Sequence, residues 1–230
     1  MRHWIEFYNS PHSIYVNARH KDVHYRDIAE QIAAFVPGPR ARVLDFGCGE
    51  AVHADIVAAV AAELILCDAA PSVRALLAAR FDGTSNVRVA APEDVERMND
   101  RALDLIVVNS VVQYLSRDAL VALLLQWRRL LAADGVLIIA DVIPPTVGPA
   151  SDAGALIRYA AAHGFLIAAL IGLVRTALSP YRRLSATLSK THYDEAEFLR
   201  ILRTAGFAAE RLARNMEHNP ARMTFRARPA

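Results

Sequence analysis

The chain is short of cysteine, glycine and net charge, and each shortage removes a class of protein. Two cysteines, Cys48 and Cys67, among 230 residues make no disulfide framework and have no metal-ligand spacing, which points to a reducing compartment. Lysine and arginine total 26 against 24 acids, a formal charge of +2, so no basic surface announces a nucleic-acid partner. The N-terminal residues Met1 to Tyr8 lack the continuous apolar run of a secretory peptide, and the expected location is cytoplasmic. The most apolar run, Gly164–Val174, is shorter than the roughly 20 residues that span a bilayer, so no transmembrane span is expected. Repeats and low-complexity tracts are also missing, and the length suits one core-bearing unit.

What is present is an alternation of short β-rich runs with alanine- and leucine-rich helical stretches, the rhythm of βαβ units on a parallel sheet. Strands are predicted at Arg42–Asp45, Leu64–Cys67, Val87–Ala90, Leu103–Asn109 and Val136–Val142. Helices are predicted at Asp22–Val36, His53–Ala61, Ser72–Arg80 and Arg117–Leu131, the last closing on a left-handed glycine cap at Gly135. Pro144, Pro145 and Pro149 then precede one long apolar stretch, Ala155–Leu178. A helix at Asp194–Ala205 and two strand-like pieces, Ala208–Arg214 and Met223–Ala227, follow, the pieces suited to an antiparallel pair.

With only 10 glycines in the chain, the placement of Gly47 and Gly49 directly after the first strand is informative. A turn there lets a ligand approach the backbone, and both dinucleotides and adenosyl sulfonium cofactors use such turns. Two features separate them. A dinucleotide fingerprint wants glycine or alanine at position 52, where this chain has Val52. Asp45, two residues before Gly47, would repel a pyrophosphate and attract a ligand carrying an ammonium and a sulfonium. Asp68, closing the second strand about 20 residues on, can accept ribose hydroxyls in either cofactor class.

The segment Val43 to Ala51 resembles the first motif of the class I S-adenosylmethionine-dependent methyltransferases, with Ala51 where a further glycine is common. The resemblance runs from about Arg42 to Val142, and reaches Ala208–Ala227 only as the expected terminal strand pair. It implies an α/β, doubly wound Rossmann-like sheet of seven mostly parallel strands, with a C-terminal antiparallel pair, an N-terminal helical cover and a helical insertion after the fifth strand. The whole reads as one domain: a cover to residue 39, a cofactor-binding core over 40–143, an apolar insertion or lid over 144–193, and a C-terminal helix and strand pair over 194–230. The implied cofactor is S-adenosylmethionine. Asp45, Gly47, Cys48 and Gly49 would hold it at the turn, Asp68 at the ribose, Ala69 against the adenine, Glu93 or else Asp94 at the adenine amino group, and Asn109 beside the methionine part.

On the acceptor side the resemblance implies Gln113 and Tyr114 just past the fourth strand, with Tyr15, Arg19 and His20 brought in by the N-terminal arm. Thr191 to Glu195 could present His192 and Tyr193, while His218 reads as a surface residue. His20 and His24, one helical turn apart, have no evident third ligand, so no metal is expected. Ser110-Val111-Val112 follows Asn109 in place of the Pro-Pro-aromatic run of nucleic-acid amino-methylases, which argues against DNA and RNA acceptors. Displacement at an activated sulfonium needs alignment and exclusion of water more than acid–base help, and no catalytic residue is assigned. A hydroxyl acceptor would add a base, for which His20 and His192 are the candidates. Ala155–Leu178 reads as a lid, a subunit interface or a membrane-contacting helix with Arg175, Arg182 and Arg183 near headgroups, in that order. The expectation is a methyltransferase for a small-molecule or lipid-like acceptor, monomeric or homodimeric. The alternatives are a nicotinamide-dependent oxidoreductase and a non-catalytic cofactor-binding protein.

Overall fold

The computed structural model describes residues 15–178 and 191–230. Arg182 and Arg183, invoked above for headgroup contact, lie outside them. Short apolar runs, too brief for stable helices, form β1 (Arg42–Phe46), β2 (Glu63–Cys67), β3 (Val87–Ala90), β4 (Leu103–Asn109) and β5 (Leu131–Val142), joined by β6 (Phe207–Arg211) and β7 (Met223–Pro229). The sheet order is β3-β2-β1-β4-β5-β7-β6, parallel through β5, with β7 antiparallel to both β5 and β6. This is the mostly parallel seven-stranded sheet with an antiparallel C-terminal pair that the sequence implied.

The helices are α1 (Ala18–Phe35), α2 (Ala54–Ala58), α3 (Pro71–Arg80), α4 (Pro92–Glu96), α5 (Arg117–Leu130), α6 (Pro149–His163), α7 (Leu166–Leu178) and α8 (Glu195–Thr204). They cover both sheet faces, which is why the central strands are apolar at nearly every position. Successive side chains alternate between faces: Leu44 and Phe46 join the cluster that α5 and α8 complete, while Val43, Leu64 and Leu105 join the one under α1, α2 and α3. Trp127 of α5 is fully buried edge-on to Phe46, with ring centroids 5.3 Å apart. Removing such an indole, about 200 Å² of mostly apolar surface, from water contributes about 5 kcal/mol.

Three boundaries differ from expectation, each for a local reason. α1 begins at Ala18 instead of Asp22, because the Asn17 side chain accepts the His20 N–H at 2.8 Å and caps the helix earlier. α5 ends at Leu130 without the left-handed cap at Gly135. The Arg129 carbonyl accepts the Arg101 N–H at 2.9 Å, Leu131 turns extended, and Gly135 lies inside β5 in a bulge between the Leu103–Leu131 and Leu105–Val136 pairs. The single apolar stretch is two helices, α6 and α7, parted at Gly164, whose φ of 77° supplies the left-handed cap.

The cover and the insertion, distant in sequence, form one layer. Val23 of α1 is buried with Ala160, Phe165 and Ala169, and α7 approaches so closely at Gly172 that a Cβ there would lie 2.6 Å from Val16 Cγ1. The far side of α7 leaves Ile167, Leu170, Ile171 and Val174 exposed. Among the described residues no helix is long and apolar enough to cross a membrane.

Candidate active site

Strand order reverses between β1 and β4, so a crevice opens at their carboxyl ends, the place where open α/β sheets bind ligands. The glycine turn forms one wall. Gly47 and Cys48 donate their N–H groups to the Cys67 carbonyl at 2.7 and 3.1 Å, and Gly49 donates to Asp68 Oδ2 at 3.0 Å. Gly47 sits at φ 79°, and a Cβ on it would lie 2.3 Å from Val111 Cγ2, so both conformation and space require glycine. Ala51 takes φ 39° at the end of the turn, a left-handed strain that glycine would not carry.

Two carboxylates face this turn. The Asp45 carboxylate has no hydrogen-bond donor among the described residues, and burial followed by repulsion from Asp68 pushes it up to about 7. Asp68 also rises through burial, although it accepts from both Gly49 and Ala70, the latter at 2.8 Å. Arg74 donates to the backbone carbonyls of Asp68 and Ala69 at 2.7 and 2.9 Å, fixing the tip of β2. The Cys48 thiol is buried and pushed well up by desolvation first and Asp45 next, which leaves it unreactive. Glu93 and Asp94 are exposed at the start of α4, where Asp94 accepts from the Ala91 N–H at 2.9 Å and caps its own helix.

α1 lies low over this turn. Tyr25 accepts the Glu50 N–H at 3.0 Å, Lys21 pairs with Glu50, and His53 meets Asp22 at 2.8 Å. A cavity of about 50 Å³, bounded by His24, Tyr25, Asp45, Gly47 and Asn109, is the space left between them. The chemistry of this wall fits an adenosyl sulfonium: two desolvated acids await a cation, the glycines admit a close ligand, and Asn109 Oδ1 is buried without a partner. In volume it admits such a ligand only with α1 displaced.

The other wall is assembled from distant segments. At the end of β4, Asn109 donates to Glu217 Oε1 at 2.9 Å and Ser110, at φ 56°, donates to Asp141 Oδ2 at 2.8 Å. Asp141, itself at φ 64°, pairs with Arg222 at 2.6 Å, and Arg222 reaches on to Asp152 of α6 at 2.8 Å. Burial and the nearby Glu217 carboxylate push Asp141 up against the pull of Arg222. The loop before β7 is held by Asn215, which accepts from the Asp141 N–H at 3.2 Å and from Thr224 Oγ1 at 2.9 Å and donates to the Asn219 carbonyl at 3.0 Å.

That loop presents Glu217 and His218. Burial alone would raise Glu217, but His24, His218 and the Asn109 amide outweigh it and hold the carboxyl down to about 2. His20 stacks on Phe165 at 4.8 Å and is brought down to about 4 by burial, then by His24 and His218, so it is neutral at pH 7. Tyr15 lies against both His20 and His24, with centroids at 5.2 and 5.3 Å. Tyr159 of α6 stacks on His218 at 5.2 Å and donates to Asp27 at 2.6 Å.

The structure therefore brings Asp45, Gly47, Cys48, Gly49, Asp68 and Asn109 to one crevice, with Tyr15 and His20 at its edge. Gln113 is buried in the turn after β4, its Oε1 without a partner and its carbonyl accepting from Thr191, and Tyr114 follows it half-buried. His192 is exposed, and among the described residues no hydrogen bond or ion pair joins it to the crevice; Tyr193 is fully buried against Phe198. Arg19 is exposed and donates to the His163 carbonyl at 3.3 Å. His218, read as a surface residue, is mostly buried. Glu217, Ser110, Asp141, Tyr159 and Arg222 carried no motif. The available signal was topological: a strand antiparallel to β5 starts at β5's carboxyl end, so the loop before it must land on the crevice.

Residues 44–139 match the family described as Methyltransferase domain. No curated protein matches the chain in sequence. Among solved structures, the DhpI–SAH complex superposes with a TM-score of 0.62 at 15% identity, over 98% of this chain and 95% of that one. Magnesium protoporphyrin IX methyltransferase from Synechocystis, with bound SAH, gives 0.60 at 16% identity over 99% and 93%. The Haloferax volcanii complex that contains the Trm112 methyltransferase activator gives 0.62 at 13% identity over 91% and 92%. At these identities the likeness concerns the fold, and with 1177 chains matching, the fold by itself does not select an acceptor.

Proposed function

We propose that the chain, whose residues 44–139 match a methyltransferase domain, is a class I S-adenosylmethionine-dependent methyltransferase, and that its acceptor is a small-molecule or lipid-like compound held under the α1–α6–α7 layer. The carrying observation is that layer itself: Tyr15, His20, Tyr159 and Phe165 pack together as an aromatic cluster joining α1 to α6 and α7, a lining suited to a compact, partly apolar acceptor. The exposed apolar face of α7 favours acceptors drawn from an apolar phase. The nicotinamide alternative is disfavoured, because among the described residues no cation offsets the repulsion between Asp45 and a pyrophosphate.

In this reading Asp45 faces the ammonium and sulfonium end of the cofactor and Asp68 the ribose hydroxyls. Ala69 lies along the adenine, Glu93 or Asp94 near its amino group, and Asn109 Oδ1 meets the methionine part. When bound, the cofactor supplies an activated methyl on a sulfonium. The protein's contribution is alignment and dryness: the glycine turn fixes the donor, α1, moved outward to admit it, shields it from solvent, and the acceptor is held in line. Two free, buried cysteines fit a reducing, cytoplasmic setting.

The test uses the full chain with methyl-labelled cofactor and fractionated cell extract. Label in metabolite or lipid fractions that depends on Asp45 supports the reading. Label confined to protein or nucleic acid, or S-adenosylhomocysteine binding with no transfer to any fraction, overturns it.

A further inference from the structure

Two imidazole nitrogens and one carboxylate oxygen converge beside Asn109 at ion-pair distances longer than an ordinary hydrogen bond. His24 Nδ1 and His218 Nδ1 lie 3.4 and 3.6 Å from the same atom, Glu217 Oε2, and the ligand atoms of the three residues are all within 4.8 Å of one another. Those separations exceed the 2.7–3.2 Å typical of an N–H···O bond, roughly, and His218 Nδ1 is buried without a hydrogen-bond partner. They match the edge of a tetrahedron instead: zinc–nitrogen and zinc–oxygen bonds of about 2.0–2.2 Å place neighbouring ligand atoms about 3.3–3.6 Å apart.

We propose that His24, Glu217 and His218 bind a divalent transition-metal ion, zinc by ligand type, on the acceptor side of the crevice. The surroundings are those of a built site. The Asn109 amide occupies Glu217 Oε1 at 2.9 Å, which leaves Oε2 as a single directed ligand, the role that outer-shell hydrogen bonds play around metal carboxylates. The Glu217–His218 loop is fixed by Asn215 and Asn219, and Asn219 in turn donates to Asp152 at 2.7 Å. His24 comes from α1, so the ion would tie the cover to the sheet edge. Three protein ligands leave a fourth position open, the pattern of catalytic rather than structural zinc. Under the proposed methyltransferase function, an acceptor oxygen fills that position and is made more acidic there, which places the acceptor among hydroxylated or enolic compounds able to ligate a metal.

Untagged protein, stripped with a chelator and desalted, is titrated with Co²⁺ while visible absorption is followed, and Zn²⁺ is then added in competition. The expected result is saturation at one ion per folded chain, with bands of a four- or five-coordinate nitrogen–oxygen site that zinc abolishes. Glu217→Gln and the double variant His24→Ala/His218→Ala lose saturable binding. Asn109→Ala, which removes the outer-shell bond to Glu217 Oε1 and keeps all three ligands, weakens metal binding about tenfold or more in the cofactor-free protein. X-ray absorption on the wild-type zinc form decides the matter if a variant misfolds: two imidazoles and one carboxylate support the site. No saturable binding to folded wild-type protein, a different ligand set, or equal affinity in folded Glu217→Gln overturns it. The readout needs no methyl transfer, so absence of the metal leaves the methyltransferase assignment intact, and absence of transfer leaves the metal site intact.

Discussion

The two walls of the crevice are built by opposite strategies. The cofactor wall is local: Asp45, Gly47 and Gly49 follow one another along a single strand and turn, and Asp68 is the next strand's tip. Its specificity lies in backbone conformation and in two desolvated acids. The acceptor wall draws on α1, the end of β4, the end of β5, α6 and the β6–β7 loop, and is held by side-chain hydrogen bonds between residues up to 132 positions apart. A local wall tolerates distant change and fails when its own backbone is altered. A composite wall fails when any one tie is cut.

The sharpest way to break this contrast is Arg222→Met. It leaves Asp141, whose side chain is 3% exposed, without its cation, and removing one partner of a buried pair costs about 3–5 kcal/mol. Urea unfolding should show that loss, while S-adenosylhomocysteine affinity of the folded fraction stays within about threefold, a limit set by the sub-kilocalorie coupling usual between separate sites. A parallel collapse of cofactor affinity would mean that the two walls are one unit. Gly47→Val should cost about 3 kcal/mol, combining left-handed strain with the clash against Val111, and abolish cofactor binding by calorimetry.

Asp68→Ala is expected to weaken cofactor binding by about 1–3 kcal/mol, since Gly49 and Ala70 lose their acceptor along with the ribose. The mildest effect concerns pH. Asp45 sits at about 7 in the free protein, and a cationic ligand binds its ionised form; below that pH a proton must leave first. Affinity should therefore climb by up to about 1.4 kcal/mol per pH unit as pH rises towards 7, then level off. Calorimetry in buffers of different ionisation enthalpy should detect the released proton, and Asp45→Asn should flatten the profile.

The legibility of the sequence follows the same division. β1 to β4 were readable to within about a residue because strands buried on both faces must be apolar along their length. Gly135 misled because a glycine after a helix is ambiguous: the Arg129 carbonyl at the helix end is met by the N–H of Arg101, a residue that precedes β4, and the chain turns extended at Leu131 before the glycine is reached. His24 and His218 were visible as histidines, but nothing in their separation of nearly two hundred positions links them, and Glu217 belongs to no motif.

By itself the sequence determined the sheet, the glycine turn and the sign of the charge facing the cofactor, because periodicity, turn geometry and a neighbouring carboxylate act over a few residues. Only the tertiary structure decided which histidines meet Glu217, how α6 and α7 roof α1, and that the loop before β7 returns to the crevice. Those outcomes depend on the antiparallel addition of β7 to β5 and on helix packing across the sheet edge, contacts that no local pattern encodes.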